Sequence, residues 1–355
     1  MNVFNATLRE RYQALKDQQP QLRIRDAAQK LHTTELELLE LDLGGQVIRL
    51  RDEWKDLLPA LESLGKVMAL TRNDSAVHER KGVYQNVSFM DNAPVGLVVN
   101  EDIDLRLFMQ AWQYGYAVRS ETPRHTLYSF QFFDAFGEAI HKVYLQSGAN
   151  PEAYQQLIHR FRAEDQATLI KPKTKVKAAP VFNPAFHRTT EFQAEWLALR
   201  DTHDFYPLLR KYDLCRTQAL RLAPEGYALR IDNQAAAALL EQASRRELPI
   251  MVFVGNNGCI QIHTGPVRKL APMEGWINIM DPDFNLHLRL DGIQESWITR
   301  KPTDDGIVTG LELFDAYGEM VVQFFGARKP GKPELSAWRE LTDELASSLQ
   351  LQPTA

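Results

Sequence analysis

The sequence predicts an α+β protein made of two structurally similar halves, and three observations carry that expectation. A six-residue segment recurs: Phe133-Asp134-Ala135-Phe136-Gly137-Glu138 returns 181 residues later as Phe314-Asp315-Ala316-Tyr317-Gly318-Glu319. Flanking segments keep nearly the same spacing, residues 100–105 against 281–286 at 181 and Asn150-Pro151-Glu152 against Lys332-Pro333-Glu334 at 182, while residues 25–31 resemble 216–222 at 191. A slowly drifting spacing is what internal duplication followed by loop insertion leaves behind. Each half also passes from helical to strand-like apolar periodicity, and 355 residues exceed one ordinary core and suit two domains.

The first half opens with Leu8, Tyr12 and Leu15, then Ala27, Ala28 and Leu31, at helical spacing. The run IRDAAQKLHTTELELLEL reads as helix, turn and helix, with Thr33 as the cap of the second. That helix carries Glu35, Glu37 and Glu40, which would repel phosphates, so it is expected to pack and not to read DNA. VMALTRN is an apolar run ended by a turn residue, and LYSFQFFDAFGEAIHKVYL reads as a hairpin whose turn is opened by Asp134 and closed by Gly137. Pro151 suits the first turn of a closing helix.

The second half repeats the series. Trp196, Leu197, Leu199 and the Leu208-Leu209 pair are helical in spacing, PIMVFVGNNG and VTGLELFDAYGEMVVQFFG are strand-like, and Pro333 is expected to start the last helix. Between the halves, TLIKPKTKVKAAPVFNP alternates lysine with small, β-branched and proline residues, as a solvated linker does. The expected division is residues 1–165, a linker over 166–187, and 188–355, each half a mainly antiparallel sheet with packed helices.

Composition removes several function classes. A net charge of −5 offers no bulk affinity for nucleic acid. The start, MNVFNATLRERYQ, lacks the apolar core of a secretory signal, and no run of 18 apolar residues exists, so stable membrane insertion is not expected. Cys215 and Cys259 stand in unlike contexts and suggest neither a disulfide framework nor a zinc site, which makes a reducing cytoplasm the expected compartment. No phosphate-cradling glycine loop and no G-x-S-x-G elbow is present, and His203-Asp204 is too short a match to the paired ligands of a metal phosphohydrolase.

Among nine histidines, 203 has the most informative setting. Pro207 is tolerated only near the first turn of a helix, which puts His203 at or just before a helix N-terminus. The positive end of the helix dipole there favours neutral imidazole, the form that binds a metal.

Thr202-His203-Asp204-Phe205, Leu208-Leu209 and the run from Arg216 to Leu222, together with the duplicated halves and their FDAxGE hairpins, resemble the haem-utilisation proteins of Gram-negative bacteria known as hemin-degrading factors or cytoplasmic haem-trafficking proteins, the HemS, ChuS and PhuS family. The resemblance spans nearly the whole chain. It implies haem as ligand or substrate in a cleft on the C-terminal half, with His203 as axial ligand and Arg106, followed by Phe108 on the same strand face, on the opposite side. It also implies Arg216, Lys301 and Arg328 around the propionates and pocket rim and Phe253 near the macrocycle. The final strand reads Val321-Val322-Gln323-Phe324-Phe325 where some relatives carry tyrosines, a departure that argues against a tyrosine ligand from that strand. The residue types fit haem independently, since it needs an iron ligand, apolar walls and cations for two carboxylates.

The implied function is iron acquisition from imported haem in the cytoplasm, and two readings stay open. One is an oxidoreductase that opens the macrocycle with oxygen and an electron donor of unknown identity, His203 holding iron and Arg106 organising distal water or peroxide. The other is a carrier that takes haem from the inner-membrane importer and passes it to a separate haem oxygenase.

Overall fold

Alternating runs become strands and the helical periodicities become helices in a computed structural model that describes residues 3–122, 125–179, 181–329 and 331–351. Two units result, Met1–Arg72 with Glu79–Val176 and Asn256–Gln261 forming unit 1, and Asn73–His78 with Lys177–Gly255 and Ile262–Ala355 forming unit 2.

Unit 1 begins with α1 (Val3–Gln18), α2 (Ile24–Leu31) and α3 (Glu35–Leu39), followed by β1 (Val47–Arg49), α4 (Trp54–Ala60), β2 (Lys66–Arg72) and β3 (Ala76–Val83), whose first residues fall in unit 2. It continues with β4 (Val87–Phe89), β5 (Val95–Val99), β6 (Asp104–Phe108), β7 (Tyr114–Glu121), β8 (Thr126–Phe133), β9 (Ala139–Leu145) and α5 (Pro151–Phe161). Its main antiparallel ladder runs β1-β7-β8-β9-β2, and β4-β5-β6 form a second. Phe130, Phe132 and Val143 of the main ladder pack against Leu57, Leu61, Tyr154 and Leu157 from α4, the turn after it and α5. The other face, with Tyr116, Val118 and Phe133, meets Leu36 and Leu39 of α3.

Unit 2 follows the same plan. Helices α6 (Thr189–Leu197), α7 (Phe205–Tyr212) and α8 (Arg216–Arg221) precede β10 (Ala228–Ile231), α9 (Ala235–Arg245), β11 (Ile250–Gly255) and β12 (Cys259–Gly265), the last shared with unit 1. Then come β13 (Leu270–Met273), β14 (Trp276–Met280), β15 (Phe284–Arg289), β16 (Glu295–Thr303), β17 (Gly306–Phe314), β18 (Met320–Gly326) and α10 (Ser336–Ser348). The main ladder is β10-β16-β17-β18-β11, and β13-β14-β15 form the second. Leu311, Leu313, Val322 and Phe324 pack against Leu239, Leu240, Trp338 and Leu341 of α9 and α10, while Trp297 and Phe314 on the other face meet Trp196, Phe205 and Leu209 of α6 and α7.

The two FDAxGE hairpins match in detail. In each turn the aspartate Oδ1 accepts two backbone N–H groups, from Phe136 and Glu138 or from Tyr317 and Glu319, and the glycine closes the turn at φ +76° or +70°. The ladder shifts register at the same place, between Phe132 and Phe133 and between Leu313 and Phe314.

Three local expectations change. The cap of α3 is Thr34, not Thr33, because Thr34 Oγ1 accepts from Glu37 N while the Glu37 carboxylate accepts from Thr34 N, a reciprocal capping box. Pro333 does not open the last helix, which starts at Ser336. Glu334 is buried and accepts from Thr309 N at 2.6 Å and Thr309 Oγ1 at 2.9 Å, which ties the preceding segment to β17. The stretch expected as a linker divides between the units after Val176 and is tethered in each. In unit 1, Gln166 exchanges hydrogen bonds with the Arg49 backbone, Ile170 N donates to Glu40 and Lys173 N donates to Ala135 O; in unit 2, Lys177 pairs with Asp74 and Asn183 exchanges bonds with Gln218. Pro180 lies outside the described residues. Among the described residues no helix is long and apolar enough to cross a membrane.

Candidate functional site

Unit 2 builds its site from the loop between α6 and α7. Asp201 caps a 3-10 turn over Thr202–Asp204 that runs straight into α7, with Pro207 in the first turn of that helix, where a backbone N–H has no helical acceptor anyway. Asp201 Oδ1 accepts from His203 N at 2.8 Å and lies 2.6 Å from His203 Nδ1, while Asp204 accepts from Asp201 N at 3.1 Å. The hydrogen bond from the His203 backbone, followed by the imidazole and by Arg328, holds the Asp201 carboxyl below its usual range. An ionised carboxylate only accepts, so a neutral His203 carries its proton on Nδ1 and keeps the lone pair on Nε2. The side chain is 90% exposed. A carboxylate behind a histidine fixes the ring and raises its basicity, the usual support of an iron-ligating imidazole.

Phe205, the first residue of α7, is buried and lies beneath two cations, with Arg216 at 5.1 Å and Lys301 at 4.7 Å from its ring centroid. Both converge on Glu312 of β17, which is fully buried. Glu312 accepts from Arg216 Nε at 2.7 Å, Arg216 Nη2 at 2.8 Å, Lys301 Nζ at 2.6 Å and Thr299 Oγ1 at 3.0 Å. Burial alone would raise the Glu312 pKa, but Arg216 and Lys301 overcome it and hold the carboxyl far below its ordinary range. Burial, reinforced by Arg216, lowers the pKa of Lys301. The two cations together account for the direction at Glu312, while at Lys301 burial outweighs the attraction of the one carboxylate it shares with Arg216.

Phe253, Gln323 and Glu312 stand side by side on one face of the ladder β11-β18-β17. Phe253 meets Phe325 edge-on at 5.3 Å, and the Phe325 ring lies over Gly310, where a Cβ would come within 2.6 Å of it. Two half-buried aromatic rings, set edge to face beside a side-chain-free strand position, form an apolar patch. Arg328, just after β18, is 3.8 Å from Asp305, and its Nη1 makes no hydrogen bond among the described residues. The anion that Nη1 faces is the Asp305 carboxylate, within ion-pair range but beyond hydrogen-bond reach.

His203, Arg216, Phe253, Lys301 and Arg328 all belong to unit 2; Arg216 and Lys301 meet at Glu312, Phe253 stands on the same ladder face as Glu312, and Arg328 acts on Asp201, the partner of His203. Lys301 is not on a rim, however: its ammonium is buried against Glu312 because β16 alternation turns it inward. Arg106 and Phe108 belong to unit 1, where they share the half-buried face of β6 and Arg106 pairs with Asp104. Sequence reasoning passed over Asp201 and Glu312. The signal for Glu312 was a carboxylate between Leu311 and Leu313 in a strand. Among the described residues, no cluster of three or more His, Cys, Asp or Glu side chains is arranged to hold a bare metal ion.

A family model for a haemin-degrading HemS/ChuX domain matches residues 32–161 and again 213–345. Over 339 residues the chain is 40% identical to a hemin transport protein, HmuS, of Yersinia pestis, covering 95% of this chain and 96% of that one. It superposes on holo-PhuS, described as a heme-binding protein from Pseudomonas aeruginosa, with a TM-score of 0.92 and 48% identity over 98% of this chain and 99% of that one. ChuS, described as an E. coli heme oxygenase, gives 0.84 and 37% identity over 95% and 99%.

Proposed function

We propose, starting from the fact that this chain belongs to the haemin-degrading HemS/ChuX family, that it binds haem in the cytoplasm for iron acquisition and opens the macrocycle oxidatively to release iron. The observation that carries the reading is the Asp201-supported, exposed imidazole of His203 in the unit that also holds the Phe253–Phe325 pair and the cations around Glu312, the donor types that haem requires. His203 Nε2 takes the iron, Phe253 and Phe325 border the macrocycle, and Arg216 and the unsatisfied Nη1 of Arg328 receive propionates. Haem is the substrate in this reading, and its iron supplies the centre at which oxygen reacts.

The family resemblance gives Arg106 the distal role. Its guanidinium donors stabilise charge that develops only once oxygen is reduced, so its effect falls on turnover more than on binding. A carrier that receives haem from the importer and hands it to a haem oxygenase is the second reading, favoured by the exposure of the His203 side chain, which leaves the ligand open to exchange.

A hemin titration followed by Soret absorbance tests the shared premise. His203→Ala should weaken binding by roughly 100-fold and change the ferric spectrum, with residual binding from the walls. An unchanged spectrum would remove His203 as ligand. With catalase and a physiological electron donor present, sustained conversion of haem to an open tetrapyrrole that Arg106→Ala slows at saturating haem supports the enzyme; no conversion with rapid transfer to an oxygenase supports the carrier.

A further inference from the structure

We propose that Glu312 is a positioning residue for the carboxylates of the ligand: it holds the Arg216 guanidinium and the Lys301 ammonium in place and, as an internal carboxylate, weakens the hold of Arg216 on an incoming propionate so that the ligand is released. The inference rests on the haem reading of the same site. Glu312 grips Arg216 through Nε and Nη2, and Nη1 takes no part in that fork. Lys301 is bonded to the same carboxylate and to Thr299 Oγ1. Two cations therefore share one anion, which leaves one positive charge for a ligand carboxylate where two would stand without Glu312. The Phe205 ring beneath both cations keeps water from that side, so the balance of charge counts for more than it would on a surface.

The fold does not ask for a carboxylate at this position. In unit 1 the ladder β8-β9 sets Gln131 opposite Lys142, and in unit 2 the ladder β17-β18 sets Glu312 opposite Gln323. Gln131 stands 181 residues before Glu312, after the same hairpin spacing, and is buried in its sheet with a hydrogen bond to Ser129 Oγ. An amide is therefore accommodated where Glu312 stands. The carboxylate is a requirement of Arg216 and Lys301, and Arg216 is the one of the two that the proposed function offers to a propionate.

The test compares hemin with hemin dimethyl ester, which keeps iron and macrocycle and lacks both carboxylates, on the full-length protein. Glu312→Gln should raise hemin affinity and slow hemin dissociation by roughly tenfold, the worth of one charge-assisted hydrogen bond, while ester affinity stays within about twofold. Equal changes for hemin and ester would mean a structural role only, and weaker hemin binding would mean that orientation outweighs competition; either overturns the proposal. If the single variant does not fold, Glu312→Gln with Lys301→Met leaves no unpaired ammonium in the core, and the freed Arg216 should still prefer hemin over the ester more strongly than wild type does. A ratio equal to wild type overturns the proposal. Failure of the underlying reading has its own signature, a wild-type hemin spectrum indifferent to His203→Ala.

Discussion

On neighbouring strands of their main ladders, one step apart in the repeat, the two units bury opposite charges: Lys142 lies across from Gln131, the residue that matches Glu312. Unit 1 places Lys142 on β9, and Glu35 at the start of α3 reaches down to it while also pairing with Arg72. Unit 2 places Glu312 on β17, and Arg216 at the start of α8 and Lys301 from β16 come to meet it. In both, the strand residue is answered by a residue from the helices packed on that face. The requirement is that a buried charge be answered, and either sign satisfies it. Glu35 behaves as Glu312 does. Burial would raise its pKa, yet Arg72 and Lys142 bring it down to about 2, while burial lowers that of Lys142, one carboxylate again serving more than one cation. The units differ in a second way. In unit 1, α1 runs unbroken over Val3–Gln18, whereas in unit 2 the chain leaves α6 at Leu197 and re-enters helix at Phe205, and the break presents His203. One plan, differently charged and once interrupted, gives a structural cluster in one unit and a candidate ligand site in the other.

Removing the anion of unit 1 should have the largest effect. Glu35→Ala leaves Lys142 and Arg72 unanswered in a buried place and should cost about 3–5 kcal/mol in chemical denaturation, with Glu35→Leu plus Lys142→Met recovering most of it. A loss under about 1 kcal/mol would break the comparison, since the charge would then need no answer. Acid titration sharpens it. The folded pKa of Glu35 lies below its ordinary 4.5, so its contribution is complete above that value and is lost as pH falls toward about 2. Glu35→Gln should flatten the decline of stability across that window, by about 3 kcal/mol at most; an unchanged slope would assign acid unfolding elsewhere.

Gly310→Ala should cost about 1–3 kcal/mol, because the new methyl meets the Phe325 ring, and should weaken hemin binding by tilting that ring. Its counterpart in register, Ser129 opposite Tyr144, already carries a Cβ, so Ser129→Gly should leave hemin binding unchanged. Equal effects on hemin from both changes would deny unit 2 its special apolar patch. The smallest effect is expected from Asp201→Asn, roughly tenfold in hemin affinity, since the ring keeps its iron-facing nitrogen and loses only the carboxylate behind it. No change in a Soret titration would show that Asp201 acts only as a cap.

What could be read locally was read well. The repeated hairpins depend on an aspartate and a glycine within a few residues of each other, and both turns close as their residues require. Pro207 restricts the backbone around itself, and so it announced the helix start that presents His203. Thr33 and Thr34 are chemically alike as caps, and only the reach of the Glu37 carboxylate chose between them. Pro333 failed as a start signal because the buried bonds of Glu334 to β17, a contact with a distant strand, decided the course of the chain there.

The sequence by itself determined the α+β class, the two halves, the strand pattern that puts Arg106 and Phe108 on one face of β6, and the placing of His203 at a helix start, because each follows from periodicity or from residues a few positions apart. Only the tertiary structure decided which charges answer one another. Glu35 with Lys142, and Glu312 with Arg216 and Lys301, are set by packed helices and strand register, and their weight comes from burial that no local pattern reports. Lys301 shows the difference most plainly: in the chain it is one more lysine before a turn, and in the fold it is an ammonium shut in against a carboxylate.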